Sequence, residues 1–187
     1  MEEEKWIQQI LAGDVQSFSC FVAKYEKMAY NLAYRILGNR EEAEEAVQDS
    51  FLKMYRSLAG FQGNSKFSTW FYRIVYHTAI SAQRQQNYTT DIDDVPASEI
   101  TEDEADSATA MLENKDRHEL ITKAMEKIPS DEALLLTLYY LEESSIEEIQ
   151  QITGLSGSNV KVKLFRGRKH LYAEIEQMTH KAKIEML

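Results

Sequence analysis

Between Ser144 and Lys169 the sequence leaves room for little except two helices joined by a tight turn. Ser145 and Glu148 stand three residues apart ahead of Ile146, Ile149 and Ile152, a capping box leading into an apolar helix face. Gly154 follows, and glycine is the residue that takes the positive φ of a reversing turn without a Cβ penalty. Ser156 can cap a second helix in which Val160, Leu164 and Leu171 face a core. Lys161, Lys163, Arg166, Arg168 and Lys169 occupy the remaining positions, so the stretch from Gly157 to Leu171 holds five cations and no acid. A capped helix, a glycine turn and a second helix with a cationic side form the layout of a helix-turn-helix whose second helix enters a DNA groove. A plain helical hairpin with a solvated basic face shares the periodicity, but caps, turn and charge agree on the DNA reading.

The rest of the chain is expected to be helical as well. Two prolines and seven glycines in 187 residues, with no sustained alternation, point to an all-α fold. Phe18, Phe21, Val22, Tyr25, Ala29, Leu32, Ala33 and Ile36 fall three or four apart, which predicts a long amphipathic helix from Val15 to Leu37 with Asp14 as its cap. Gly38 ends it, and Asn39 with Glu42 resembles a second capping box. The next helix has Ala43, Ala46, Val47, Phe51, Met54, Tyr55 and Leu58 as its apolar face. A loop over residues 60–65 precedes a helix from Phe67 to Gln86. After a polar stretch, a helix over Asp116 to Ile128 and an apolar one over Glu132 to Leu141 lead into the helix-turn-helix.

A net charge of −10 is unusual for a DNA reader until it is divided along the chain. Residues 1–86 carry ten acids and ten bases. Residues 87–116 carry ten acids and only Lys115. Residues 117–187 carry eleven acids and ten bases. The excess therefore sits in one short segment, poor in apolar residues, that cannot bury enough surface to offset its ordering entropy. The expected organisation is two small helical domains, 1–86 and 115–187, joined by a flexible acidic linker over 87–114. The linker must point away from DNA or occupy a place where nucleic acid would otherwise lie.

Ser65 to Tyr76 is dense in aromatic residues interleaved with bases. Phe67, Trp70, Phe71 and Ile74 read as core. Tyr72 and Tyr76 lie off that stripe and are free to stack on unpaired bases. Glu41 to Glu45 read as a solvated helix start that favours the macrodipole. Alternatively, Glu45, Gln48 and Asp49 beside Leu52 form a face that docks a basic partner helix. His77, His118, His170 and His180 are scattered and pair with no nucleophile or metal-ligand spacing, so no catalytic set, metal site or cofactor is expected. The single cysteine, Cys20, reads as a buried small hydrophobe and excludes an internal disulfide. With no apolar run of ~18 residues and an acidic rather than cationic start, the expectation is a cytoplasmic protein without membrane insertion.

In this order, the blocks resemble the bacterial RNA polymerase sigma-70 family, and within it the small extracytoplasmic-function (ECF) group that keeps regions 2 and 4. Three stretches carry the resemblance: Ala43 to Arg56, Phe61 to Ile74, and Ile128-Pro129 through the helix-turn-helix to Arg166-Gly167-Arg168. The resemblance implies a fold of a region 2 helical bundle and a region 4 helix-turn-helix. It implies a non-enzymatic factor that directs core polymerase to promoters and helps melt the minus-ten element. Glu45, Gln48, Asp49 and Leu52 correspond to the face that binds the clamp helices of the largest polymerase subunit. Asn64, Ser65, Lys66, Tyr72, Arg73 and Tyr76 correspond to the element that captures a flipped base and holds the melted minus-ten strand. Ser158, Asn159, Lys161, Lys163, Phe165, Arg166, Arg168 and Lys169 correspond to the duplex minus-thirty-five contacts. Core polymerase, promoter DNA and an anti-sigma factor are the implied partners.

The chain departs from the family pattern at three places. Ala79 to Gln86 carries one base where the family often has several charges. Gln150 stands where a small alanine is common. Val162 stands where a small polar residue is common. The alternative reading of the whole chain is a helix-turn-helix regulator that binds duplex DNA alone.

Overall fold

The computed structural model describes residues 2–89 and 110–185, and every regular element among them is helical. Helix α1 spans Glu2–Leu11, α2 Val15–Leu37 and α3 Arg40–Ser57, followed by a 3-10 turn over Leu58–Gly60 and α4 over Phe67–Thr89. The second half comprises α5 (Ala110–Lys127), α6 (Ser130–Tyr140), α7 (Ile146–Thr153) and α8 (Gly157–Glu185). The all-α expectation therefore holds.

Local chemistry sets the boundaries. Asp14 accepts the Gln16 N–H at 2.9 Å and starts α2. Gly38, in the left-handed region at φ 68°, ends it by donating its N–H to Tyr34 O at 2.8 Å. Asn39 accepts the Glu42 N–H at 3.3 Å, but the reciprocal half of that box does not form, and Glu42 Oε2 is buried without a partner.

Helices α2, α3 and α4 pack against one another around Phe21, Leu32, Met54, Phe71 and Val75, all fully buried. Phe21 meets Phe67 with ring centroids 4.5 Å apart and Phe51 meets Phe71 at 4.8 Å. Each such side chain contributes on the order of 1.5–3 kcal/mol through burial, so this cluster fixes how α4 is presented. Helix α1 closes one end with Ile7 and Ile10, and its Glu3 bridges Lys24 and Tyr25 on α2.

In the second half α6 is buried from Glu132 through Leu138, as suits a helix surrounded by others. Helices α7 and α8 cover it with Ile149, Ile152, Val160 and Leu164. Gly167 lets α8 approach α6 closely: a Cβ there would lie 3.1 Å from Glu132 Cβ and 3.2 Å from Leu136 Cδ1.

The two halves meet directly. Helix α4 packs on α7 and α2 on α6, and the Arg35 guanidinium donates to Met125 O at 3.0 Å. Three sequence expectations are corrected here. Cys20 is exposed, because it sits on the outer side of α2. Tyr55 is 52 % exposed, since Met54 of α3 and Leu58 of the 3-10 turn take the buried positions around it. Helix α5 begins at Ala110 rather than Asp116, and α4 runs on to Thr89. Most of the acidic linker expected over 87–114 lies outside the described residues.

Candidate nucleic-acid interface

Helix α4 presents three faces, each roughly a third of a turn from the next. The first, with Phe67, Phe71, Val75 and Ala79, is core. The second turns toward the helix-turn-helix half. Lys66 Nζ lies 3.0 Å from Glu148 Oε1, Thr69 Oγ1 contacts the same oxygen at 3.5 Å, and the Tyr72 hydroxyl donates to Glu142 Oε2 at 2.6 Å. Tyr72, expected to be free for nucleic acid, is only 2 % exposed, and burial followed by its bond to Glu142 pushes its phenol pKa upward. Tyr76 is half-buried on this side, within electrostatic reach of Asp131 and Lys163.

The third face lines an open groove of about 550 Å³ against α3. Trp70, Arg73 and His77 come from α4, and Lys53 and Arg56 from α3. Lys53 Nζ reaches Thr78 Oγ1 at 3.1 Å and ties the walls together. Burial, then the neighbouring Arg73 and Arg84, hold the His77 imidazole below its ordinary value. A groove with cations, an indole and no lining acid suits a phosphate backbone with unpaired bases. Trp70 was expected in the core. It is instead half-buried, packed on Phe61 at 5.0 Å with its remaining surface on the groove. Lys53, Arg56, Trp70 and His77 were missed in the sequence, although the three- and four-residue spacing of Trp70, Arg73 and His77 marks one helix face. Asn64 and Lys66 are exposed and Ser65 is half-buried at the end of the preceding loop, where Gly63 takes φ 71°.

The helix-turn-helix forms as its sequence suggests. Ser145 Oγ accepts the Glu148 N–H at 3.1 Å while Glu148 accepts the Ser145 N–H at 2.8 Å. Burial would raise the Glu148 pKa, but the Ser145 amide and Lys66 outweigh it and hold the carboxyl low. Gly154 turns the chain at φ 75°, and Ser156 caps α8 through the Asn159 N–H at 3.3 Å. Gln150, in place of a small residue, is accommodated by Gly157: a Cβ at 157 would lie 3.2 Å from the Gln150 amide.

On α8, Ser158, Asn159, Lys161, Phe165, Arg166, Arg168 and Lys169 are exposed. Lys163 is less available than expected, because it pairs with Asp131 on α6. Arg168 folds back onto Leu164 O at 3.1 Å and the Tyr140 hydroxyl at 3.3 Å. On α3, Glu45, Gln48, Asp49 and Leu52 are all exposed along one stripe, with Leu52 51 % exposed at its end.

Residues 21–89 match the Sigma-70 region 2 family and residues 118–171 match Sigma-70, region 4. The chain is 31 % identical over 185 residues to the ECF RNA polymerase sigma factor SigW of Bacillus subtilis, covering 94 % of this chain and 97 % of that protein. It belongs to the ECF group of the sigma-70 family. It is also 27 % identical to the RNA polymerase sigma-H factor of Pseudomonas aeruginosa, over 97 % of each chain. Among solved structures, RpoE of Bartonella quintana, crystallised with the anti-sigma factor NepR, shares the fold at a TM-score of 0.69 and 19 % identity, over 86 % of this chain and 98 % of that one. CnrH, solved with the cytosolic domain of CnrY, gives 0.63 and 18 %, over 95 % and 99 %. Among the described residues of this sigma factor no helix is long and apolar enough to cross a membrane.

Proposed function

We propose that this sigma factor recruits core RNA polymerase to promoters through α3, reads the duplex minus-thirty-five element through α8 and holds the melted minus-ten strand along α4. The observation that supports this most is the presence, in one chain, of two different nucleic-acid surfaces. The Trp70–Arg73–His77 groove suits unpaired bases, and the outward side of α8 suits a major groove. A regulator that binds duplex alone has no use for the first.

Within this reading Glu45, Gln48, Asp49 and Leu52 dock the polymerase clamp helices. Asn64, Ser65, Lys66 and Arg73 contact the minus-ten strand together with Trp70 and His77, while Tyr72 and Tyr76 shape the surface from the side of the second half. Ser158, Asn159, Lys161, Phe165, Arg166 and Lys169 face the minus-thirty-five duplex, with Lys163 and Arg168 at its margins. The factor acts in the cytoplasm, without a cofactor and without catalysing a reaction itself. An anti-sigma factor covers these surfaces when the signal is absent.

Run-off transcription with core polymerase on genomic fragments tests the reading. Discrete start sites that require both proteins are expected. Tight sequence-specific duplex binding by the chain alone, with no polymerase-dependent transcripts, would favour the stand-alone regulator.

A further inference from the structure

The buried line of α8 runs through Val160, Leu164 and Gly167. Two residues on from Val160, Val162 is turned by roughly 200°, so it points straight away from the core. Ser158 and Lys169 share that outermost line, and Phe165 lies beside it. Lys161 and Arg168 fall on one flank, Asn159 and Arg166 on the other. Val162 is 47 % exposed and Phe165 67 % exposed, one turn apart. Two apolar side chains thus stand exposed in the middle of a cationic helix.

We propose that Val162, with Phe165, is a specificity-determining residue of the minus-thirty-five interface that recognises the C5-methyl group of thymine. This rests on the DNA-reading role of α8 given above. The N-terminal part of a recognition helix is the part that reaches base edges, and Val162 lies in it. The flanking cations suit the phosphates on either wall of the groove, which leaves the central line for the bases. Valine has no donor or acceptor to spend on a base edge. The one apolar feature a major groove offers it is the thymine methyl, which separates T·A from the other pairs. Phe165 extends the same apolar surface toward the next base step. A serine at 162 has no methyl to offer and would hydrogen-bond instead, so it would not make this distinction.

The test uses the holoenzyme with its cognate core polymerase. The preferred minus-thirty-five element is first selected from duplexes randomised over that region. Each thymine in it is then replaced by deoxyuridine, which removes the methyl and leaves the hydrogen-bonding edge intact. One or two positions should lose affinity by about fourfold, the factor to which ~0.8 kcal/mol for one buried methyl corresponds. In Val162→Ser that penalty should vanish at one of these positions while preference elsewhere is retained. Circular dichroism guards against a folding defect, which an exposed site makes an unimportant concern. An element without thymine, tolerance of deoxyuridine throughout, or an unchanged penalty in Val162→Ser would overturn the proposal. Each leaves the sigma-factor reading standing. Failure to select any element with holoenzyme would instead count against that reading.

Discussion

The Tyr72 hydroxyl donates a 2.6 Å hydrogen bond to Glu142 Oε2, joining α4 of the first half to the end of α6 in the second. Glu142 belongs to the turn before α7, where Glu143 takes φ 48° and Ser144 donates its N–H to Leu138 O at 3.0 Å. That turn therefore carries a carboxylate to the buried Tyr72 phenol of α4, which needs an acceptor. Tyr72→Phe removes the donor to a charged acceptor and should weaken docking of the two halves by about 1.5–3 kcal/mol. Fluorophores on exposed sites of α3 and α8 should show a longer mean distance in the variant. Single-strand binding to the Trp70 groove should be unchanged, because Tyr72 lies on a different face. A loss of strand affinity with unaltered distance would return Tyr72 to the nucleic-acid interface.

The groove itself is open to a direct electrostatic test. Arg73→Ala should weaken binding of the melted strand and lower the salt slope by ~0.7, the value for one phosphate on a single strand. Trp70→Ala should cost about 1–3 kcal/mol with little change of slope, since stacking is not screened. If both variants change the slope alike, Trp70 is acting only as a wall for its neighbours.

Glu148 serves two purposes that a conservative substitution separates. Glu148→Gln keeps the capping box, which accepts either residue at that position, but removes the charge facing Lys66. Because Lys66 is exposed, the ion pair contributes below ~1 kcal/mol. The carboxyl is held below its ordinary value of 4.5, so its contribution is fully present above that pH and is lost as pH falls through the lowered folded value. Melting temperatures of wild type and Glu148→Gln should differ slightly at pH 7 and converge in acid. Ser145→Ala breaks the box and should cost ~1 kcal/mol at pH 7. A gap between wild type and Glu148→Gln that widens in acid would contradict this sign.

Much of this was legible in the sequence because it depends on local chemistry. Asp14, Asn39 and Ser145 cap, Gly38 and Gly154 stop, and the apolar spacing of α2 and α3 finds the core without tertiary information. What was not legible depends on contacts between elements distant in the chain. Tyr72 falls off the apolar stripe of α4, yet it is buried on the side where α7 and the turn before it arrive from 70 residues away. Trp70 fits the stripe, yet part of it is left uncovered because it lines the groove between α3 and α4. Lys163 belongs by spacing to the basic face but is bound by Asp131, in the first turn of α6. Periodicity assigns a residue to a side of its own helix. It does not say which neighbour covers that side.

The position of α8 rests on Gly167, and this gives the last prediction. Replacing a helix-interior glycine by alanine ordinarily gains about 1 kcal/mol. Here the new Cβ would meet Glu132 Cβ at 3.1 Å and Leu136 Cδ1 at 3.2 Å. The first of these atoms is fixed to its backbone and cannot swing aside. Gly167→Ala should therefore forfeit most of the helix gain, and Gly167→Val should overpack the contact at a cost of ~1–3 kcal/mol. The contrast is Gly157→Ala, where the crowded neighbour is the free end of the Gln150 side chain and little change is expected. Pushing α8 from α6 should also separate His170 Nδ1 from Glu132 Oε2, now 2.6 Å apart. Gly167→Val should then bind minus-thirty-five duplex more weakly in the holoenzyme with the salt slope unaltered, since no cation is removed. A melting temperature equal to wild type in Gly167→Val would mean that α8 can shift without loss and that Gly167 does not set its position.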